Sequence, residues 1–333
     1  MPNTSWRNGA IVGEPPAASP RGHAATTRTL VTGANGFLGR VTVSALRAAG
    51  HEVAAPRSRD YDLTEQSAVR ALLGDHRPEV LVHLAAACGG IGANVANPGR
   101  FLYENALMGL MVLEEARRAG VSRLVLISTT CAYPQDAPLP LNERDFWSGP
   151  PTGATGPYGM AKRLLHEACA TYERQYGFQS VVLVPANLYG PEDHFDEASS
   201  HVVPALIRRF VEAADRGLTS VTNWGTGRAT REFLHVRDAA AAIVAACALG
   251  RPLDAAPINL GTGRETSIAA LTGVVARAAG FEGALLWDTS KPEGQPRRFL
   301  DISRARAVLD FEARVPLDDG IAETTAWFRE HRP

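Results

Sequence analysis

Thr32-Gly33-Ala34-Asn35-Gly36-Phe37-Leu38-Gly39 is the stretch that decides the fold. It follows a short β-rich run, Thr29–Thr32, and opens a segment of helical spacing, Gly36–Ala49, that stops at Gly50. The glycines are spaced GxxGxxG. At a strand–turn–helix junction the first permits a tight turn, the second lets a pyrophosphate approach the backbone, and the third lets helix and strand pack closely. The free N–H groups and positive dipole end of the following helix favour a phosphate. The stretch predicts a dinucleotide-binding unit lined by Gly33, Asn35, Gly36, Phe37, Leu38 and Gly39.

The same rhythm continues outward. Strand-like runs at Glu52–Ala55, Val80–Leu84, Leu124–Ser128 and Ser180–Val184 alternate with helical patterns at Glu65–Leu73, Asn105–Ala119 and Tyr158–Tyr176. Short apolar strands between helices predict an α/β fold, a doubly wound parallel sheet of the Rossmann type covered on both faces. After Val184 the loops lengthen, and helix returns near Val236–Leu249 before a strand at Ile258–Leu260. The expected organisation is a disordered tail at 1–27, a dinucleotide-binding domain at 28–185 to which 232–262 returns, and a smaller, mainly substrate-binding region at 186–330.

Composition excludes several classes. The chain has 333 residues, 45% of them hydrophobic, enough for a sizeable core. Lys+Arg number 34 against 35 Asp+Glu, a net charge of −1, so bulk charge gives no case for nucleic acid or an anionic membrane. No window approaches the about 18 consecutive apolar residues of a membrane span. The four cysteines, Cys88, Cys131, Cys169 and Cys247, have neither CxxC nor metal-ligand spacing. That suits a reducing cytoplasm and argues against a disulfide scaffold or a metal site. Cys169 and Cys247 lie in helical patterns and read as core.

The end of the second strand chooses the cofactor. An acidic residue there would bind an adenosine ribose diol, but Pro56-Arg57-Ser58-Arg59-Asp60 offers two arginines suited to a 2′-phosphate, which favours NADP(H). Asp62 and Leu63 lie just beyond, in reach of adenine. Tyr158-Gly159-Met160-Ala161-Lys162 is YxxxK, and residues four apart share a helix face. A lysine cation beside a tyrosine lowers the phenol pKa from its usual about 10. Ser128-Thr129-Thr130 ends the fourth strand, where open parallel sheets place their sites.

Together these features resemble the short-chain dehydrogenase/reductase superfamily in its extended, nucleotide-sugar-modifying branch. The resemblance implies Tyr158 as proton donor or acceptor, Lys162 as its electrostatic partner and nicotinamide-ribose ligand, and Thr129 as the third member. His83-Leu84-Ala85-Ala86 and Asn105 fit the same branch. The resemblance carries Leu84, Ala85, Ala86, Asn105, Pro185, Asn187 and Leu188 over as further cofactor contacts.

More specific segments are similar to the GDP-L-fucose synthase family: Ala87-Cys88-Gly89-Gly90-Ile91, Cys131-Ala132-Tyr133-Pro134, Asn187-Leu188-Tyr189-Gly190-Pro191, the run Ser200–Phe210, Trp224-Gly225, Arg231–Val236 and Lys291–Arg297. The resemblance spans about residues 29–330. It implies a homodimeric, NADPH-dependent 3,5-epimerase and 4-reductase of a GDP-4-keto-6-deoxy-hexose. Cys131 and His201 correspond to its acid–base pair. Arg209, Trp224, Arg231 and one of Arg297 and Arg298, with Arg298 favoured, correspond to substrate contacts, as does Asn187. Two residues depart from the family: Thr129 replaces a serine, and Asn35 stands where an arginine often helps hold the 2′-phosphate. The second departure opens the alternative of a retained NAD and a redox-neutral epimerase acting on a nucleotide-linked hexose or heptose.

Overall fold

The computed structural model describes residues 26–196, 200–291 and 295–332. The expected tail at 1–27 therefore lies almost wholly outside the described residues. The first half runs β1 (Arg28–Thr32), α1 (Phe37–Ala48), β2 (Glu52–Ala54), α2 (Gln66–His76), β3 (Val80–His83), α3 (Ile91–Ala96), α4 (Pro98–Arg118), β4 (Arg123–Ile127), α5 (Gly156–Tyr176) and β5 (Ser180–Pro185). The second half adds β6 (Asn187–Tyr189), α6 (Val202–Asp215), β7 (Ser220–Trp224), β8 (Thr230–Arg231), β9 (Phe233–His235), α7 (Val236–Ala248), β10 (Ile258–Leu260), β11 (Thr266–Ser267), α8 (Ile268–Ala278), β12 (Ala284–Asp288), α9 (Ser303–Leu309) and α10 (Leu317–His331).

Six strands form one sheet in the order β10-β5-β4-β3-β1-β2. Every pairing in it is parallel, with Val31 opposite Val82, Val82 opposite Val125 and Val125 opposite Val181. These strands are buried on both faces, which is why they read as unbroken apolar runs. One face packs on α1, α7 and α9 through Val43, Leu46, Ile243 and Ala305. The other packs on α2, α4 and α5 through Leu72, Val112, Leu113 and Leu165. From β1 the chain moves to β2 on one side and then to β3 on the other. The switch point, where such sheets bind ligands, lies at the carboxyl ends of β1 and β3.

The fourth helix departs from expectation. It begins at Pro98, seven residues before Asn105, because Asn97 and Pro98 supply a start signal of N-cap position and proline at the first turn. The second half builds its own core from α6, α8 and α10, with Phe210, Val275, Ile321 and Phe328 buried in it. A buried carboxylate helps stitch it to the loops at the sheet's edge. Glu232 is fully buried and accepts hydrogen bonds from the backbone N–H of Thr262 (2.5 Å), Gly263 (2.6 Å) and Leu300 (2.7 Å). Removing it would orphan those donors. No described helix is long and apolar enough to cross a membrane.

Candidate active site

The cofactor end is built from close backbone contacts. Gly33 sits at φ 71°, and a Cβ there would lie 2.6 Å from the Ala85 nitrogen. A Cβ on Gly39 would lie 2.1 Å from the Gly33 oxygen. Only glycine lets the β1 turn nest against Leu84-Ala85 and against α1 at once. Gly36 differs, since its Cβ would meet only the Gly33 oxygen, at 3.3 Å. It caps α1 without a side-chain hydrogen bond and is exposed, so the helix start offers its N–H groups outward. These residues fit a dinucleotide pyrophosphate. Asn105 works indirectly: its amide accepts from Ala87 N–H (3.0 Å) and donates to the carbonyls of Ala87 (2.8 Å) and Phe101 (2.6 Å), which shapes the loop after β3.

Arg57 and Arg59 are exposed past β2, and Arg59 has a loose 3.7 Å pairing with Asp60. Asp62 accepts from the Thr64 N–H (2.9 Å) and hydroxyl (2.7 Å), bonds that lower its pKa and brace the approach to α2. Leu63 and Ala86 are half-buried, as are Phe37 and Leu38 on α1 and Pro185 and Leu188 after β5. Asn187 is exposed, with its amide nitrogen donating to the Glu232 carbonyl at 2.9 Å.

The catalytic end joins β4 to α5. Thr129 caps a 3₁₀ turn, Thr130–Ala132, its hydroxyl accepting from the Cys131 N–H at 3.1 Å. That turn lies flat on α5, for a Cβ on Gly159 would sit 2.2 Å from the Cys131 oxygen. Arg163, buried, donates to the Ala132 carbonyl at 2.7 Å and to the Phe146 carbonyl, clamping the turn in place. Lys162 is buried, donates to the Ile127 carbonyl at 3.0 Å, and holds its nitrogen 5.9 Å from the centre of the Tyr158 ring. His166, a turn further along, bonds Ser128 at 2.6 Å, while His83 bonds Thr32 at 2.8 Å. Burial, with the Lys162 charge adding, pushes both histidines down to about 3, so both are neutral.

One expectation is overturned here. Tyr158 does not have the lowered pKa expected beside a lysine cation. Burial raises the phenol well above its usual value, and the charges of Cys88 and Cys131 raise it further. The lysine is itself pulled down to about 8 by burial and is anchored on a carbonyl some distance from the ring. Desolvation sets the direction. A neutral phenol is the form that can give a proton.

Arg297 and Arg298, adjacent in sequence, part company in the fold. Arg297 is exposed and paired with Glu265 at 2.5 Å. Arg298 is half-buried with its guanidinium against the Cys131 thiol, whose hydrogen bond and charge partly offset the lowering by burial. Arg231 is half-buried beside Arg298 and donates to the carbonyls of Thr230 and Gln295, both at 2.7 Å. Trp224 is no core residue: it is 65% exposed at the end of β7, with the Lys291 nitrogen 5.9 Å from its ring. Arg209 is exposed on α6. His201 stands at the head of α6, exposed at its edge yet crowded enough that burial lowers its pKa, with His194 lowering it further. Its electrostatic neighbour is thus His194 rather than Cys131.

Cys88 carried little weight in the sequence. It lies near enough to Tyr158 and Lys162 to couple with them electrostatically, its own thiol raised by burial, while Cys169 and Cys247 are core. The glycine pair after it was the only signal. Glu232 and Arg163 were also missed as site builders, because both act through contacts far apart in sequence.

The parallel sheet, the glycine loop at its switch point and the Thr129–Tyr158–Lys162 arrangement define a nucleotide-dependent enzyme of the Rossmann class. The chain belongs to the NAD dependent epimerase/dehydratase family, which its residues 29–261 match. It is similar to a probable GDP-L-fucose synthase 1 of Oryza sativa subsp. japonica, with 37% identity over 306 residues, 91% of this chain and 92% of that one. It also resembles the solved structure of a GDP-L-fucose synthetase from Naegleria fowleri bound to NADP, with TM-score 0.82 and 26% identity over 92% of this chain and 95% of that one. A GDP-mannoheptose C4 reductase from Campylobacter jejuni with NADP bound matches with TM-score 0.83 and 27% identity, over 92% of this chain and 100% of that one.

Proposed function

We propose that this chain is an NADP(H)-dependent 3,5-epimerase and 4-reductase acting on a nucleotide-diphosphate sugar, GDP-4-keto-6-deoxy-mannose. The observation that carries the reading is Cys131, held between Thr129 and the Tyr158–Lys162 face of α5 with Arg298 at its sulfur. A C4 ketone acidifies the hydrogens on C3 and C5. Cys131 and His201 remove and return those protons from the two sides. The enolate oxygen is met by Thr129 and by the protonated Tyr158. NADPH, when bound, supplies the hydride for C4. Tyr158 then protonates the oxygen and takes its replacement proton from solvent, while Lys162 orients the nicotinamide ribose. Arg209, Arg231 and Arg298 clamp the diphosphate, and Trp224 offers a face to base or sugar. Arg57 and Arg59 receive the 2′-phosphate. Residues 28–185 with 232–262 hold the dinucleotide, and most of 186–330 holds the substrate.

Leu102 and Tyr103 on α4, and Met160 and Leu164 on α5, are exposed apolar side chains on neighbouring helices, which supports a homodimer formed there. The setting is the cytoplasm. Sedimentation at micromolar concentration checks the dimer, and a monomer rejects it.

The test is one incubation in D2O with GDP-4-keto-6-deoxy-mannose, with and without NADPH, read by absorbance of the reduced nicotinamide and by product mass. NADPH consumption with deuterium at C3 and C5 is the expected result. Consumption without deuterium leaves a plain 4-reductase. One residue favours a second reading: Asn35, where the family often has arginine. No consumption, with NAD released on denaturation, would establish the redox-neutral epimerase instead.

A further inference from the structure

Arg40 lies on the first turn of α1, one residue past the last glycine of the loop. Its guanidinium faces two ways. One nitrogen donates to the Asn35 carbonyl, inside the glycine loop, at 2.7 Å. Another donates to the Glu192 carbonyl at 2.8 Å, and the third bonds the Glu192 carboxylate. Glu192 is 152 residues away, on the turn that follows β6. Its backbone sits at φ 67°, a left-handed conformation that a glutamate adopts at a cost and keeps only where other contacts hold it. The preceding Gly190 is also in the positive range, at φ 152°.

The two ends of this connection have meaning in the fold. Asn35 and Gly36 form the loop suited to a pyrophosphate. The strand β6, from which Glu192 follows, starts two residues past the end of β5 at the carboxyl edge of the sheet and pairs with β9. A dinucleotide laid along the carboxyl edge of the sheet passes from the one to the other. A surface ion pair alone is worth little. Here one guanidinium makes three bonds, two of them to carbonyls, and both partners keep half their exposure, 44% and 40%, so water exclusion is not what holds them.

We propose that Arg40 and Glu192 are positioning residues for the dinucleotide: they form a tether across the cofactor cleft that fixes the Asn35–Gly36 peptide for the pyrophosphate and slows release of the bound cofactor. The inference rests on the reading of this cleft as a dinucleotide site. The anchor at residue 35 is the backbone carbonyl, so the tether acts on the loop's main chain and not on the Asn35 side chain.

The experiment measures dissociation of NADPH, and in parallel NADH, by stopped-flow fluorescence of the bound nicotinamide. Wild type is compared with Arg40→Gln, Glu192→Gln, the double variant and Arg40→Lys. Both side chains are half-exposed, Glu192→Gln is isosteric and Arg40→Gln only shortens a surface side chain, so circular dichroism should confirm intact folding. The expected result is a release rate raised about five- to tenfold in each single variant, the size a charge-assisted hydrogen-bonded pair carries, with no further rise in the double variant. Arg40→Lys should recover only part, since an ammonium cannot span both carbonyls and the carboxylate. Release at the wild-type rate in both glutamine variants, or additive effects in the double variant, overturns the tether alone. Failure of the wild-type chain to bind either dinucleotide overturns the tether and the cofactor reading together.

Discussion

Cys131 is the residue on which epimerisation and plain reduction part. Its sulfur lies against Arg298, and its backbone N–H is fixed by the Thr129 hydroxyl, so it is held by side chain and main chain alike. Serine is close in size but is a far weaker base than a thiolate. Cys131→Ser should therefore slow deuterium incorporation at C3 and C5 by about two orders of magnitude or more, the range that general acid–base groups supply. Hydride transfer to a substrate already carrying the product configuration should persist, because Tyr158 and Lys162 are untouched. Exchange at the wild-type rate would transfer the role to another group, and Cys88, which also lies near Tyr158, is the first to examine. The partner is less well defined by contact: His201 answers to His194.

At the scale of elements, the site depends on how closely backbone segments approach. Gly159→Ala would drive a Cβ to 2.2 Å from the Cys131 carbonyl, so α5 must lift from the 3₁₀ turn and carry Tyr158 away from Thr129. Turnover should fall about 100-fold, the cost of roughly an ångström of misplacement, and thermal stability should fall with it. Gly36→Ala makes the contrast. Its Cβ meets only one protein oxygen, at 3.3 Å, so the fold should survive while dinucleotide affinity drops. Titration of NADPH against melting temperature in the two variants separates the effects; equal loss of stability in both would reject the distinction. The same contrast explains what the sequence could reveal. The glycine loop and YxxxK were legible because their meaning lies in local spacing plus the rule that sites form at strand ends. The first turns of α4 are announced only by Asn97-Pro98, a pair that in sequence alone reads equally as a turn. Arg298 could not be told from Arg297, nor Glu232 recognised as a stitch, because those assignments depend on neighbours that only the tertiary fold supplies.

For the whole molecule, buried titratable groups set how stability follows pH, and they pull in opposite directions. His83 and His166 are buried and neutral, each held down at about 3 against the ordinary 6.5. A depressed histidine gives stability that is present above its unfolded pKa and lost as pH falls toward the folded one. Between 6.5 and about 3 the unfolded chain binds the extra protons, so these two make stability rise with pH. Asp193 does the reverse. Burial raises it from 3.8 to about 7; one oxygen accepts from the His194 N–H at 2.7 Å, and the other is buried without a partner. A raised carboxyl gives stability that is present below 3.8 and lost as pH climbs through about 7. Asp193→Asn removes that loss while keeping an acceptor for His194. Its gain in melting temperature should be near zero at the acid end, grow through the window from 3.8 to about 7, and be full above it. We expect about 1–2 °C at the alkaline end for each kcal/mol recovered, since the unfolding entropy grows with chain length. His166→Phe, which keeps the stack on Phe146 but cannot take a proton, should instead flatten the acid limb and leave the alkaline limb parallel to wild type. Scanning calorimetry of both variants across that range checks the assignment. A gain for Asp193→Asn that is constant with pH would mean that the carboxyl never leaves its ordinary range, and that its unpartnered oxygen is solvated in the native protein.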